Sequence, residues 1–491
     1  MSDREHTDPR LLDRRQLLTA GGSMALLGLL ARAGLARGSS EFFTRAARAK
    51  HVIYLFMFGG PSQMDLFDYK PELQRMDGKT IQYERKPRYF EPSTVLGSQR
   101  KFKQWGETGQ WCSDAFQHIP KHIDKMAVVK SLYTDSFAHG PALLQMNSGQ
   151  PFPGHPSMGS WVSYGMGSGN ADLPAFVVMQ DPRGGPISGP ANWSSGYMPA
   201  NHQGTLFRSR GEPVLDLSAG PRSVRGAMDS AMQRAQLDLL HRLNTIHADG
   251  RAPEGASPED ALTARDASYE LAFHMQTAAR EALDLSQEDE ATKEMYGLYD
   301  PAPSHRLSAG PAPFGTQCLM ARRLVERGVR FVQIYHGGGH QQQTWDAHQG
   351  VEENLAIHCP EVDRPIAGLL TDLERTGLLD ETLVVWGGEF GRQHVAQTAG
   401  DGQVANSGGR GHNPHAFTMW LAGAGVKPGS FGETDELGAR AERGRHHVRD
   451  MHATILNLLG LDHEKLSFYF GGLDRRLTGV FDASVIREIL A

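Results

Sequence analysis

Three cysteines in 491 residues are too few for a disulfide framework, and Cys112, Cys318 and Cys359 have no metal-type spacing. They read as buried or inert thiols. Excess charge of one sign is also scarce, since 50 Lys and Arg stand against 56 Asp and Glu. With no basic stripe interleaved with aromatics, nucleic acid is not an expected partner. No apolar run reaches the ~20 residues that cross a bilayer. A G-x-S-x-G elbow is absent, which argues against a serine hydrolase of the α/β type. "DGKT", ending at Thr80, lacks the first glycine of a phosphate loop, because Leu73 stands there and no strand precedes it.

What is present is an ordinary globular composition, 39% hydrophobic and 22% charged, with 56 glycines. The chain is long enough to bury a large core as one big domain or two smaller ones. Its N-terminus carries Arg14 and Arg15, an apolar run broken by Gly21 and Gly22, and then Arg32. Gly34 and Ala36 suit a cleavage site, so residues 1–36 read as a twin-arginine export signal. Asp13 and Leu17 depart from the usual Ser/Thr and Phe of that pattern. A retained membrane anchor is the other reading. The twin-arginine export machinery carries folded proteins, so the expected location is periplasmic or extracellular.

After a linker at 37–50, "HVIYLFMF" from His51 is a continuous β-rich apolar run, as in strands buried on both faces. Similar runs start at Met126, Pro174, Gly328, Thr382 and Phe417. Helical patterns separate several of them: "TQCLMARRLVERG" ends on Gly328, "EVDRPIAGLLTDLERTG" on Gly377 and "VRDMHATILNLLG" on Gly460. This alternation predicts an α/β fold around a mostly parallel sheet. Residues 222–300 read as an inserted pair of long polar helices, and Pro301 to Pro313 as a loop-rich return. His446, His447 and His452 fall at the start of the last helix, where structural roles are expected.

Three apolar runs pass straight into glycines followed by carboxylates: "YLFMFGGPSQMD", "FVQIYHGGGHQQQTWDAH" and "LVVWGGEFGR". Ligands of open parallel sheets bind outside the carboxyl ends of strands, so these three ends are expected to build one polar site. Asp346 and His348 are two apart and would face one side of an extended segment. That pair suits zinc, manganese or iron, or is a solvated acid beside a surface histidine. Glu389 is either a ligand or a cap of the next turn. "GRGHNPHAF" adds His412 and His415, one to ligate and the other to cap or to bind an oxyanion. Asp65 and Asp68 complete the set, Asp65 being nearer its strand end.

Residues 51–491, through "YLFMFGGPSQMDLFDYKPEL", "PSMGSWVSYGMG", "LLDETLVVWGGEFGR", "GRGHNPHAFTMWLAGAGVKPG" and "DMHATILNLLGLDHEKL", resemble an exported family, domain of unknown function 1501. That family is similar in outline to the alkaline phosphatase and sulfatase superfamily. The resemblance implies a three-layer α/β sandwich with metal on its strand ends. Asp346, His348, Glu389 and His412 would then hold a divalent metal, zinc or manganese by preference, and Asp65 would support it. The formylglycine segment C-x-P-x-R of ordinary sulfatases is absent, and "TDSFAHGPALLQMNSGQP" stands in its place. Ser136 is a candidate nucleophile there, and His139 stands where the reactive side chain is expected. Arg392 and Arg410 could bind substrate oxyanions bidentately or pair with nearby acids. The expected activity is metal-dependent hydrolysis of a sulfate or phosphate ester, on a small molecule or a polysaccharide. The alternative is a non-catalytic binding or structural protein of the cell envelope on the same fold.

Overall fold

The computed structural model describes residues 42, 47–86, 89–208, 230–249, 258–301, 304–339, 341–397 and 408–491. The expected signal at 1–36 and most of the linker lie outside them, as do 222–229 and 250–257 of the insertion. Among the described residues no helix is long and apolar enough to cross a membrane.

Strand β1 (His51–Met57) is buried at every residue. Ile53, Leu55 and Met57 point into one core, while Val52, Tyr54 and Phe56 point into another. That alternation explains the unbroken apolar run, since both faces of the strand are covered. Each large side chain buried this way stabilises the fold by about 1.5–3 kcal/mol. The other strands of the sheet are β2 (Met126–Tyr133), β3 (Phe176–Met179), β4 (Thr205–Phe207), β5 (Phe331–His336) and β6 (Thr382–Gly387). Next come β7 (Gly391–Ala396) and β8 (Arg410–Asn413), which form a separate antiparallel ribbon. The sheet is completed by β9 (Phe417–Ala422), β10 (Gly429–Phe431) and β11 (His446–His447).

The nine-stranded sheet runs β10-β2-β9-β6-β1-β5-β3-β4, with β11 also paired to β2. All its pairings are parallel except those of β9, which is antiparallel to β6 and β2. The reversal has a consequence for the site. β9 begins, rather than ends, at the carboxyl edge of its neighbours, so the segment before it, with His412, is delivered to that edge. The glycine-marked strands β6, β1 and β5 are direct neighbours. Phe56 stands opposite Gly387 and Tyr335, and Met57 opposite His336.

The first core is closed by α6 (Pro311–Glu326) and α7 (Val351–Arg375), the second by α2 (His139–Ser148), α3 (Met158–Met166) and α8 (Val448–Leu458). A short α1 (Gln63–Leu66) follows β1. Three layers result, as expected of an α/β sandwich. The inserted pair is α4 (Ser230–Asp249) and α5 (Pro258–Leu283), and Met275, Ala279 and Ala282 of α5 join the first core. Helix α6 starts earlier than the loop-rich reading of 301–313 implies. Pro311 and Pro313 occupy its first turn, where a missing N–H leaves no helical bond unmade. All three cysteines are buried, and burial pushes their thiol pKa values up.

Candidate metal centre

Glu389 follows Gly387 and Gly388 at the end of β6 and is fully buried. Its carboxylate accepts the Gly59 amide at 3.0 and 3.2 Å. It also accepts from His139 Nδ1 at 2.6 Å. Gly59 has a φ of +116°, and a Cβ there would stand 2.5 Å from the Asp346 nitrogen. Only glycine lets the exit of β1 lie against the segment that carries Asp346.

Asp346 is the hub. Its Oδ1 lies 3.0 Å from His412 Nε2, 3.2 Å from His348 Nε2 and 2.8 Å from Arg392 Nη2. Its Oδ2 is 3.3 Å from His139 Nε2, an atom that makes no hydrogen bond although it is buried. His348 and His412 face each other through Nε2 atoms 2.9 Å apart. The rings of His139 and His412 are walled by Phe390, at 4.9 and 4.5 Å between centroids. The segment is not extended, as the spacing of Asp346 and His348 suggests. Ala347 N bonds Trp345 O and His348 N bonds Asp346 O, each at 3.0 Å, so two tight turns converge the side chains.

The protonation pattern follows from partners. His412 Nδ1 lies 2.7 Å from the Phe137 carbonyl, which can only accept, so Nδ1 carries the proton. Burial lowers the His412 pKa to about 4 against the pull of Asp346, which keeps the ring neutral at pH 7. Its Nε2 is then a bare lone pair aimed at a carboxylate oxygen. His348 is likewise lowered by burial, with Asp346 opposing. Burial also works against a charge on His139, but Asp346 and Glu389 outweigh it and raise the pKa to about 9. Asp346 is raised by burial yet held well below the carboxylate range by Arg392 and then His139.

Lone pairs of His412 and Asp346 converging without a proton between them are what a cation site requires, and an ion there would take the place of the His139 proton. One ligand atom each of His139, Asp346 and His412 fall within 4.8 Å of one another. In a tetrahedral zinc site with bonds of ~2.0–2.1 Å the ligand atoms stand roughly 3.3 Å apart, close to these separations. The Phe137 carbonyl behind His412 and the Glu389 carboxylate behind His139 are the outer partners that fix metal-bound imidazoles. The residues present therefore fit a divalent ion.

The structure brings Asp346, His348, His412 and His139 together, and places Glu389 behind His139 instead of beside Asp346. Asp65 stands apart. It is fully buried and paired with Arg410 at 2.8 and 3.2 Å. Asp68 bonds Thr434 and Lys70. Arg392 and Arg410, expected either toward substrate oxyanions or toward nearby acids, are fully buried and paired with Asp346 and Asp65. Arg392 spends its donors on Asp346 and on the carbonyls of Gly59, Gly60, Trp345 and Arg410. His415 is exposed and has Arg440, Arg445 and Glu84 as its charged neighbours. Ser136 is half-buried, its hydroxyl accepting the Ala138 amide within its own turn. His447 caps α8 and His452 lies buried inside it, both structural as expected. Sequence reasoning missed the Phe137 carbonyl, which carries no side-chain signal. A second buried set, His336, His358 and Glu361, was also missed.

The chain is similar to several solved structures. The lipoteichoic acid synthase LtaP from Listeria monocytogenes is 11% identical over 86% of this chain and 74% of its own, with a TM-score of 0.34. The alkaline phosphatase from the Antarctic bacterium TAB5 is 9% identical over 85% and 100%, at 0.32. The PsFucS1 sulfatase from Pseudoalteromonas sp. is 12% identical over 94% and 75%, at 0.31. No curated protein sequence matches the chain. The chain belongs to the family described as "Protein of unknown function (DUF1501)", which matches residues 49–490.

Proposed function

We propose that this protein is an exported metal-dependent hydrolase of a sulfate or phosphate ester, small-molecule or polysaccharide. One observation carries the reading: the bare Nε2 of His412, fixed by the Phe137 carbonyl, faces the ionised Asp346 carboxylate with His348 and His139 beside it. Asp346, His412, His348 and His139 would hold a divalent ion, zinc or manganese. A bound ion would supply Lewis-acid charge against the negative charge that develops on the ester.

The chain's own residues have distinct tasks. Glu389, anchored by the Gly59 amide, orients His139 through Nδ1 and leaves Nε2 free to exchange a proton or to ligate. Arg392 keeps Asp346 ionised from the protein side. With the Ser136 hydroxyl bonded in its own turn, the attacking group in this reading is water. Export rests on the arginine pair and apolar run of residues 1–36. Zinc- or manganese-loaded protein is expected to turn over an aryl sulfate or an aryl phosphate, and Asp346→Asn to abolish it. Metal bound without turnover of either ester would favour a non-catalytic binding protein instead.

A further inference from the structure

Behind the candidate metal centre lies the second set. His336 ends β5, and His358 and Glu361 are one turn apart on α7, all three buried. His336 Nε2 and His358 Nδ1 each stand 3.0 Å from Glu361 Oε2. On spacing alone this is a metal site like the first. The proton inventory says otherwise.

Trp345 Nε1–H, which can only donate, points at His336 Nδ1 from 3.0 Å. That nitrogen must be bare, so a neutral His336 carries its proton on Nε2 and gives it to Glu361. Coordination through Nε2 would require an imidazolate. His358 is bracketed by acceptors: Glu361 at Nδ1 and the Gln342 carbonyl at Nε2, 3.0 Å away. Both its nitrogens donate, which makes it an imidazolium. Arg183 supplies another cation, donating to Glu361 Oε1 at 3.0 Å and Oε2 at 2.9 Å. Ser308 and the Ala309 amide add donors to Oε1. Arg183 also pairs with Asp181, whose other donor is the Gly337 amide at 2.9 Å. Two cations thus balance two carboxylates, and every oxygen of Glu361 is spoken for.

The set grips the loop between β5 and α7 at Gly337, Gln342 and Trp345, one residue before Asp346. We propose that His336, His358 and Glu361 form a closed, proton-holding clamp that takes no metal and positions Asp346 in the front centre. His336 and His358 are positioning residues. The positioning half rests on the reading of the front centre as a metal site.

The test counts and weighs zinc on the full chain, in wild type, His336→Phe and His336→Gln, by chelator competition. His336→Phe should keep the wild-type zinc stoichiometry and weaken affinity about tenfold, as loss of outer-shell partners does, while His336→Gln, which still accepts from Trp345, restores it. Loss of a zinc equivalent in His336→Phe would overturn the clamp as metal-free, and unchanged affinity would overturn the positioning. Where His336→Phe does not fold, ¹⁵N NMR of wild-type histidine rings decides. Both nitrogens of His358 protonated uphold the clamp, and a single proton overturns it. Wild type that binds no zinc would defeat the proposed function, and the same ring signals would then judge the clamp alone.

Discussion

Asp346 and Asp65 are both acids placed near strand ends, yet their surroundings assign them opposite work. Asp346 faces three imidazoles on its open side and one guanidinium behind, whereas Asp65 is enclosed with Arg410. Removing one partner of a buried pair leaves the other charge uncompensated, at a cost of about 3–5 kcal/mol. Asp65→Ala should therefore lower the denaturation midpoint sharply while leaving zinc stoichiometry unchanged, as followed by urea titration and metal analysis. Glu389→Gln tests the partner behind His139. It should fold, and zinc affinity should weaken roughly 10–100-fold, because a neutral amide holds the His139 Nδ1 proton more weakly than the carboxylate does. Equal affinity in Glu389→Gln would show that the charge behind His139 does not tune it as a ligand.

At the scale of elements, Gly59 shows how a strand exit makes room for chemistry. Gly59→Ala would place a Cβ 2.5 Å from one backbone nitrogen and 2.6 Å from another at a φ of +116°. Gly78, with a φ of +74° and open space, serves as its control. Gly78→Ala should cost about 1 kcal/mol, and Gly59→Ala several times more together with loss of zinc, measured by thermal melts and metal content. The six apolar strands were legible because unbroken β-rich runs of strand length arise where both faces are covered. Convergence of the three glycine-marked ends was legible too, since a parallel sheet aligns its carboxyl edges. The β7–β8 ribbon was not, because short polar strands such as "RGHN" leave no periodic trace. Nor could sequence show that β9 runs backwards, which is what delivers His412. For the two arginines, substrate and nearby acids both stayed open for a related reason. An arginine after a strand can turn to solvent or to the core, and only the assembled carbonyls of Gly59, Gly60 and Trp345 decide it for Arg392.

For the whole molecule, buried neutral histidines set the response to acid. Burial lowers His452 and His394 to about 4, and His452 keeps a hydrogen bond to the Met146 carbonyl at 2.8 Å. The unfolded chain takes up these protons near pH 6.5 and the folded one only near 4, so stability falls as pH drops through that window and levels off below it. Each contributes on the order of 3 kcal/mol to the loss, and His452→Gln should flatten this limb in urea titrations across pH 4–7. His139 acts in the opposite sense in the metal-free chain. Its pKa of about 9 makes its stabilising charge fully present below pH 6.5 and lost as pH rises through 9. The central claim is that distant segments of one sheet edge assemble a cation site around Asp346. Metal analysis of the full chain purified without chelator, beside Asp346→Asn, tests it most directly. Stoichiometric zinc or manganese in the wild type and none in the folded variant is the predicted result. A wild type that carries no metal, or a variant that retains it all, would contradict the account.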